Sequence, residues 1–446
     1  MSEGSWRSDL ELWLAPFLSR LGHPARRAMC PAYVAGLIGP GERKSVAPLA
    51  ERQGMASHDA LHHFIAVGPW DEAAIEEELS RQADRLVGGP EAYLIVDDTA
   101  LPKKGTASVG VAPQYASVLG KNANCQTLVS VTLSSGEVPV PVALRLFLPE
   151  SWTSDPARLA KAGVPENRCE PRTKPEIALA EIDRLVAAGV RFSVVLADAG
   201  YGISAPFRHG LSARALLWAV GIPRIQKVFA ADVAMVPPPP ARRRSTQPLV
   251  PAEEATSAET MLADELWETI SWRQGRKGAL RASFAAKRVR IADGPAVRLH
   301  GRNNQHMPGE QAWLVGEHRS SGERKYYLSN LPAEADLKTL ASAIKARWSC
   351  EQAHQQMKEE LGLDHFEGRS WRGLHRHALM TMMAMAFLQH RRLGEAERGK
   401  KNRRSTTQPQ PASRAPRHPD RSGGHAFAPT TQMPALPAMD QTAQAA

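Results

Sequence analysis

The chain has 446 residues with a formal net charge of +10, hydrophobic residues at 43% and charged residues at 23%, the profile of a globular protein of roughly two to four domains. No apolar stretch approaches the ~18–20 continuous residues that a membrane helix needs. Four scattered cysteines without a CxxC pair exclude a zinc ribbon and a disulfide framework, and the opening MSEGSWRSDLELW lacks a basic region followed by an apolar run, so a cytoplasmic location is predicted.

The positive charge favours a polyanionic partner, and its distribution matters more than its sum. From Arg391 to the end there are ten Lys/Arg against four Asp/Glu, or +6 of the +10. A nucleic-acid surface in the rest of the chain must therefore come from local clustering.

Residues 1–90 read as all-helical: Leu10, Leu14, Phe17, Leu18 and Leu21 recur at helical spacing before Gly22 and Pro24. Two short helices around Gly54 resemble a helix-turn-helix, with Arg43, Lys44, Arg52, His58, His62 and His63 available to DNA. From residue 91 the period changes. AYLIVDDT is a buried strand ending in Asp97 and Asp98, QTLVSVTL and VPVPVALRLFLP are two more strands joined by an SSGE turn, Pro175 to Ala188 is a helix, and VRFSVVLAD is a buried strand ending in Asp198. ARALLWAVG reads as a further strand. This first α/β segment covers 91–230.

Residues 231–335 open with a Pro-rich, charged linker and continue as strands. Between Ser271 and Ala292 lie seven basic residues and no acidic ones, with Trp272 and Phe284 among them and Trp267 just before. Further strands are predicted at QAWLVGEHR and KYYLSNL with a basic turn between them. Residues 336–393 hold a long helix from Leu337 to Leu361 and an apolar one from Gly373 to Leu388, whose Met380, Met382, Met383 and Met385 suit a core. Residues 394–446 read as a disordered basic tail.

Asp97/Asp98, Asp198 and Glu351 stand out by position. Carboxylates brought to one cleft from strand ends and a helix repel one another unless a divalent cation neutralises them. Two Mg²⁺ ions held by such groups activate water and stabilise the leaving oxygen of a phosphodiester. His354, His365, His375 and His377 have no cysteine spaced for zinc and suit packing or phosphate contact.

The words IVDDTALPKKG, VLADAGYG and RWSCEQAHQQMKEELGLDHFEGRSWRGLHRH resemble the DDE transposases of bacterial insertion sequences, from about residue 90 to 390. Arg347, Glu351 and Lys358 match the spacing of that family's Tyr–Arg–Glu–Lys signature, while its tyrosine falls at Ile344. The resemblance implies an α/β ribonuclease-H-like catalytic core with a β-rich insertion, preceded by an all-α DNA-binding domain. It further implies two Mg²⁺ ions (or Mn²⁺) on Asp98, Asp198 and Glu351, with Arg347 and Lys358 positioning phosphates. The family places the first ligand directly before Thr, which favours Asp98 over Asp97, whose side chain points the opposite way in a regular strand. The partners implied are double-stranded DNA at transposon ends and target, a second copy of the chain, and the bacterial nucleoid. Trp272 is the candidate for stacking on a displaced base, with Trp267 second. Arg273, Arg276, Lys277, Arg281, Lys103 and Lys104 are candidate phosphate contacts. A nuclease without strand transfer and an inactive DNA-binding descendant are the alternative readings.

Overall fold

The structure, a computed structural model, describes residues 3–116, 119–237, 249–275, 278–298 and 304–405. It opens with α1 (Glu3–Leu18), α2 (Pro24–Ile38), α3 (Val46–Arg52), α4 (Asp59–His62), which runs into a π turn at His63–Val67, and α5 (Glu72–Val87). Asp71 caps α5 by accepting from the Ala73 N–H, and Ile75, Leu79, Ala83 and Val87 supply its buried stripe. The helices around Gly54 are as expected, and Gly54 takes φ +67°, the left-handed turn that favours glycine. Lys44 departs from the expectation: it is buried, and its ammonium donates to the Leu37 and Gly39 carbonyls rather than facing DNA.

The next segment holds β1 (Ala92–Pro102), β2 (Ala112–Ala116), β3 (Lys121–Ser135), β4 (Val138–Leu146), α6 (Glu150–Thr153), α7 (Pro156–Ala162), α8 (Lys174–Ala187), β5 (Val194–Ala197), α9 (Ala199–Gly202), α10 (Ala205–Ala213) and β6 (Leu217–Ile222). Thr173 and Glu176 form a reciprocal capping box that starts α8 where the sequence places it. Beyond come β7 (Lys227–Ala230), β8 (Met235–Val236), β9 (Val250–Pro251), β10 (Thr256–Ser257), α11 (Ala258–Met261), β11 (Glu268–Gly275), β12 (Gly278–Ile291), β13 (Ala296–Arg298), β14 (Asn304–His306), β15 (Gln311–His318) and β16 (Arg324–Ser329). The chain then forms α12 (Leu337–Ala346), α13 (Trp348–Glu359) and α14 (Trp371–Ser405).

A twelve-stranded mixed sheet runs β10-β7-β12-β15-β16-β6-β5-β1-β3-β2, with β4 also beside β3 and β11 beside β12. β5 is parallel to both β1 and β6, because α8 and then α9 and α10 carry the chain back across the sheet; β3 is antiparallel to both β1 and β4, and a two-residue turn joins it to β4. The strands that follow Asp198 extend this same sheet through β6 and β16. Leu94 and Val96 enter a core shared with α5, α8 and α14, whereas Ile95 enters a second one with Leu340, Ile344 and Cys350. Both faces of β1 are thus covered, which is why AYLIV is continuously apolar.

Residues 1–396 form one compact unit. Its N-terminal helices share a core with α14, through Tyr33 Oη to His377 Nδ1 at 2.8 Å and the Trp13–Phe387 ring contact. The four methionines of α14 are buried. Two expectations shift. The long 337–361 helix is two helices joined at Arg347, whose φ of −57° and ψ of −28° stay helical. α14 continues to Ser405, since the Glu, Ala, Lys and Arg after Leu393 favour helix; the rest of the predicted tail, 406–446, lies outside the described residues. Among the described residues no helix is long and apolar enough to cross a membrane.

Candidate active site

The site begins where β1 leaves the apolar layer. Asp97 and Asp98 face Ser130 and Val129 in the register with β3, and pleat alternation sends their side chains to opposite faces. Asp97 Oδ2 lies 2.5 Å from Arg347 Nη1, and its Oδ1 accepts the Asp98 N–H at 2.8 Å. Burial pushes the Asp97 carboxyl up to about 7; Arg347 opposes that shift and the negative charge of Asp198 adds to it. Asp98 is held on the other side, by Lys174 Nζ at 2.5 Å from Oδ2 and Tyr201 Oη at 2.5 Å from Oδ1. Burial raises its pKa, Lys174 and Tyr201 pull it down, and Asp198 again pushes up. Tyr201, itself raised by burial and by Asp98, keeps its proton and donates.

Asp198 follows β5 directly and caps α9, accepting the Tyr201 N–H at 3.2 Å. The last parallel pair between the strands is Val96 with Ala197, so Asp97 and Asp198 are each one residue beyond it. The seat of α9 depends on two glycines: a Cβ on Gly202 would lie 1.9 Å from the Gly221 carbonyl oxygen, and one on Gly221 would lie 2.8 Å from the Ala199 nitrogen.

From the helical side, Arg347 pairs with both Asp97 and Glu351. Burial works against its charge, but Asp97, Glu351 and Asp198 raise its pKa overall. The Glu351 side chain is 58% exposed, free to reach a ligand. Lys358 is half-buried and makes no ion pair among the described residues; burial lowers its pKa, with Asp364 and Glu359 opposing. Ile344, at the position of the signature tyrosine, is packed in the second core.

Asp198 borders two clefts. One of about 760 Å³ contains Asp98, Lys174 and Tyr201. The other, about 470 Å³, contains Glu351 and Arg347 and is ringed by Arg224, Arg319, Arg324, Lys325 and Lys345. Buried Glu317 organises part of that ring, taking Lys345 at 2.6 Å, Arg319 at 2.9 Å and Tyr327 Oη at 2.7 Å. The sequence hinted at this ring only as a basic turn between two strands. It gave no signal for Lys174 and, although Tyr201 lies in the word VLADAGYG, no role for that tyrosine; they reach Asp98 from 76 and 103 residues away.

The predicted DNA contacts divide. Trp272 is half-buried, edge-on to Phe284 at 5.9 Å with Lys345 Nζ 4.7 Å from its centroid. Arg273 lies on Trp348 at 3.8 Å, with Nη1 2.9 Å from Glu137. Both side chains thereby tie β11 to the helices that carry Arg347 and Glu351. Trp267 packs edge-on to His318. Arg281 and Lys104 are exposed, whereas Lys103 Nζ donates to the Asp364 and Phe366 carbonyls and fixes that turn. Arg276 and Lys277 lie outside the described residues.

His354, His375 and His377 are buried, and burial lowers their pKa values to about 3, 4 and 4, so they pack as neutral rings. Cys350, one turn before His354 on α13, does bring a thiol near it: Asp97, Cys350 and His354 each place one donor atom within 4.8 Å of the others. Burial pushes that thiol up to about 12, and His354 Nε2 is engaged with Ser130 Oγ at 2.7 Å. The acidic residues are a better match for a hard cation: Asp97 and Asp98 each feel the repulsion of Asp198, which a divalent ion with oxygen ligands would relieve.

The description DDE superfamily endonuclease matches residues 16–279. A curated relative, a probable transposase for insertion sequence element IS701 from Microchaete diplosiphon, is 32% identical over 169 residues, 38% of this chain and 41% of the relative. The match thus spans about two fifths of the relative's length. Among solved structures, the piggyBac transposase synaptic complex with hairpin DNA aligns at 10% identity and a TM-score of 0.40, covering 89% of this chain and 74% of that one. The NurA nuclease from Sulfolobus solfataricus aligns at 10% identity and a TM-score of 0.22, covering 62% and 79%.

Proposed function

Given that the chain belongs to the DDE superfamily endonucleases, we propose that it is a DNA transposase that cleaves the ends of an insertion sequence and joins them to target DNA. The observation that supports this reading is that Asp198 borders both the cleft that contains Asp98 and the cleft that contains Glu351, the latter ringed by basic side chains, while Arg347 links Asp97 to Glu351. The core is read as ribonuclease-H-like, supported by the β4-β3-β1-β5-β6 arrangement in which β5 and β6 are parallel to β1.

Asp98, Asp198 and Glu351 would hold two Mg²⁺ or Mn²⁺ ions. Bound there, the ions supply Lewis-acid polarisation of the scissile phosphate and a nucleophile at neutral pH. Arg347 orients Glu351 from its i−4 position and shares its charge with a bound phosphate. Lys345, Arg324 and Lys325 draw the DNA backbone into the cleft, and Lys358 contacts a flanking phosphate. One observation favours a second choice of β1 ligand: Asp97, not Asp98, shares Arg347 with Glu351. Asp97→Asn and Asp98→Asn distinguish them, since only the true ligand's variant loses cleavage per bound complex. Joining two ends calls for a homodimer on DNA, in the bacterial cytoplasm at the nucleoid.

The test is incubation of the protein with Mg²⁺ or Mn²⁺ and a duplex carrying the sequences that flank its gene, beside Glu351→Gln. Metal-dependent cleavage at the element's ends, lost in the variant and followed by joined products, is expected. Cleaved ends that never join would reduce the activity to a nuclease; binding without nicking in either protein would refute catalysis.

A further inference from the structure

A third cavity, about 370 Å³, adjoins the Asp98 cleft and shares Leu148 and Arg172 with it. Its acidic walls are already committed. Glu76, with Glu181 behind it, neutralises half-buried Arg145; Glu72 pairs with buried Arg376; Asp71 caps α5. Apart from Arg145, its basic residues keep most of their donors free. The Arg168 side chain is half-buried yet its guanidinium has no hydrogen bond or ion pair among the described residues, and the guanidinium of Arg372 at the mouth has none either. Burial, and the nearby charges of Arg145 and Arg172, press against the Arg168 charge, and Glu181 and Glu76 offset them only in part. Arg172 gives one N–H to the Glu176 carbonyl at 3.0 Å and keeps the rest. A half-buried cation without an acceptor is costly, and an anionic ligand would relieve that cost. Glu170 on the rim is exposed, so water screens its opposing charge.

The remaining wall is aromatic. Trp371 is half-buried and lies 4.1 Å, centroid to centroid, from His375. The His375 nitrogens are occupied by the Trp371 carbonyl at 2.9 Å and the Leu146 N–H at 3.3 Å, so this ring adds surface and no charge. Free guanidinium groups beside an aromatic face, in a cavity larger than a bare phosphate requires, suit a nucleotide.

We propose that this cavity receives one unpaired nucleotide of a DNA strand leaving the catalytic cleft, its phosphate on Arg168, Arg172 and Arg372 and its base against Trp371. The proposal rests on the DNA-cleaving reading and adds a single-strand site to it. The site makes the enzyme prefer frayed or overhanging ends to fully paired ones.

The test is fluorescence anisotropy, in EDTA, with labelled duplexes of one sequence that are blunt or carry a short single-stranded overhang. The overhang is expected to tighten binding on the order of tenfold, the effect of one stacked base. Arg168→Ala and Trp371→Leu should each bring the overhang-to-blunt affinity ratio close to one, with circular dichroism confirming the fold. Arg168→Ala should also lower the salt slope for the overhang duplex by about one. Equal wild-type affinity for both duplexes, or a ratio that survives in the variants, overturns the proposal. So does inorganic phosphate quenching Trp371 fluorescence without any overhang preference, which would assign the cavity to a free anion. Cleavage of the blunt duplex with Mg²⁺ by the same preparations separates the two readings. Cleavage without an overhang preference sinks the cavity alone, and a preference without cleavage sinks the catalytic reading alone.

Discussion

Glu181→Gln is expected to cost about 3 kcal/mol of stability at pH 7, and the loss should disappear in acid. Glu181 is buried on α8; its Oε1 is 2.7 Å from Arg145 Nε on β4, and its Oε2 is 2.8 Å from Arg184 Nε. Burial alone would raise its pKa, but Arg145 and Arg184 overcome it and hold the carboxyl at about 2, against an ordinary 4.5. At about 1.4 kcal/mol per pH unit of that displacement, the ionised form contributes about 3 kcal/mol, within the ~3–5 kcal/mol known for breaking a buried pair. Because the folded pKa is depressed, this contribution is complete above about pH 4.5 and is lost as pH falls towards 2. Urea unfolding curves at pH 7, 5 and 3, followed by circular dichroism, should show a wide gap between wild type and variant that narrows at pH 3. A loss below about 1 kcal/mol at pH 7, or a gap of the same size at pH 3, would refute the reasoning. The network also fixes α8, whose first residue Lys174 holds Asp98, so cleavage should fall in the variant as well.

Arg347→Ala leaves Asp97 and Glu351 without their shared cation and should lower cleavage per bound complex roughly a hundredfold; single-turnover rates at saturating protein check this, and a change under about threefold would exclude the role. Gly202→Ala should abolish soluble folded protein or cost more than about 3 kcal/mol, since its Cβ meets a backbone oxygen that cannot yield; expression and thermal melts decide. Thr173→Ala removes one half of the α8 capping box and should cost about 1 kcal/mol in urea unfolding, while Thr173→Ser should retain most of it. Lys103→Met removes the ammonium that holds the Asp364 and Phe366 carbonyls. It should therefore lower the melting temperature, with little change in the salt slope of DNA binding; a slope reduced by about one with unchanged stability would restore Lys103 as a phosphate contact.

The apolar runs that lead into Asp97/Asp98 and Asp198, the helix from Pro175, the hairpin after β3 and the helical frame of Arg347 and Glu351 were all legible in the sequence, although β1 does not end at the two aspartates but continues to Pro102. They follow from local physics: continuous apolar runs, a proline in a helix's first turn, a glycine turn and i,i+4 spacing on one helix. The residues that complete the site were decided only in three dimensions. Lys174 and Tyr201 meet Asp98 because α8 and α9 flank parallel strands, and the basic ring around Glu351 forms because β15 and β16 extend the sheet past β6. Lys44 and Lys103 look like DNA contacts in a linear chain, yet folding turns both inward onto backbone carbonyls that need a donor. A residue's local pattern fixes the element it lies on and the face it takes; which charges it meets there depends on chain segments tens to hundreds of residues away.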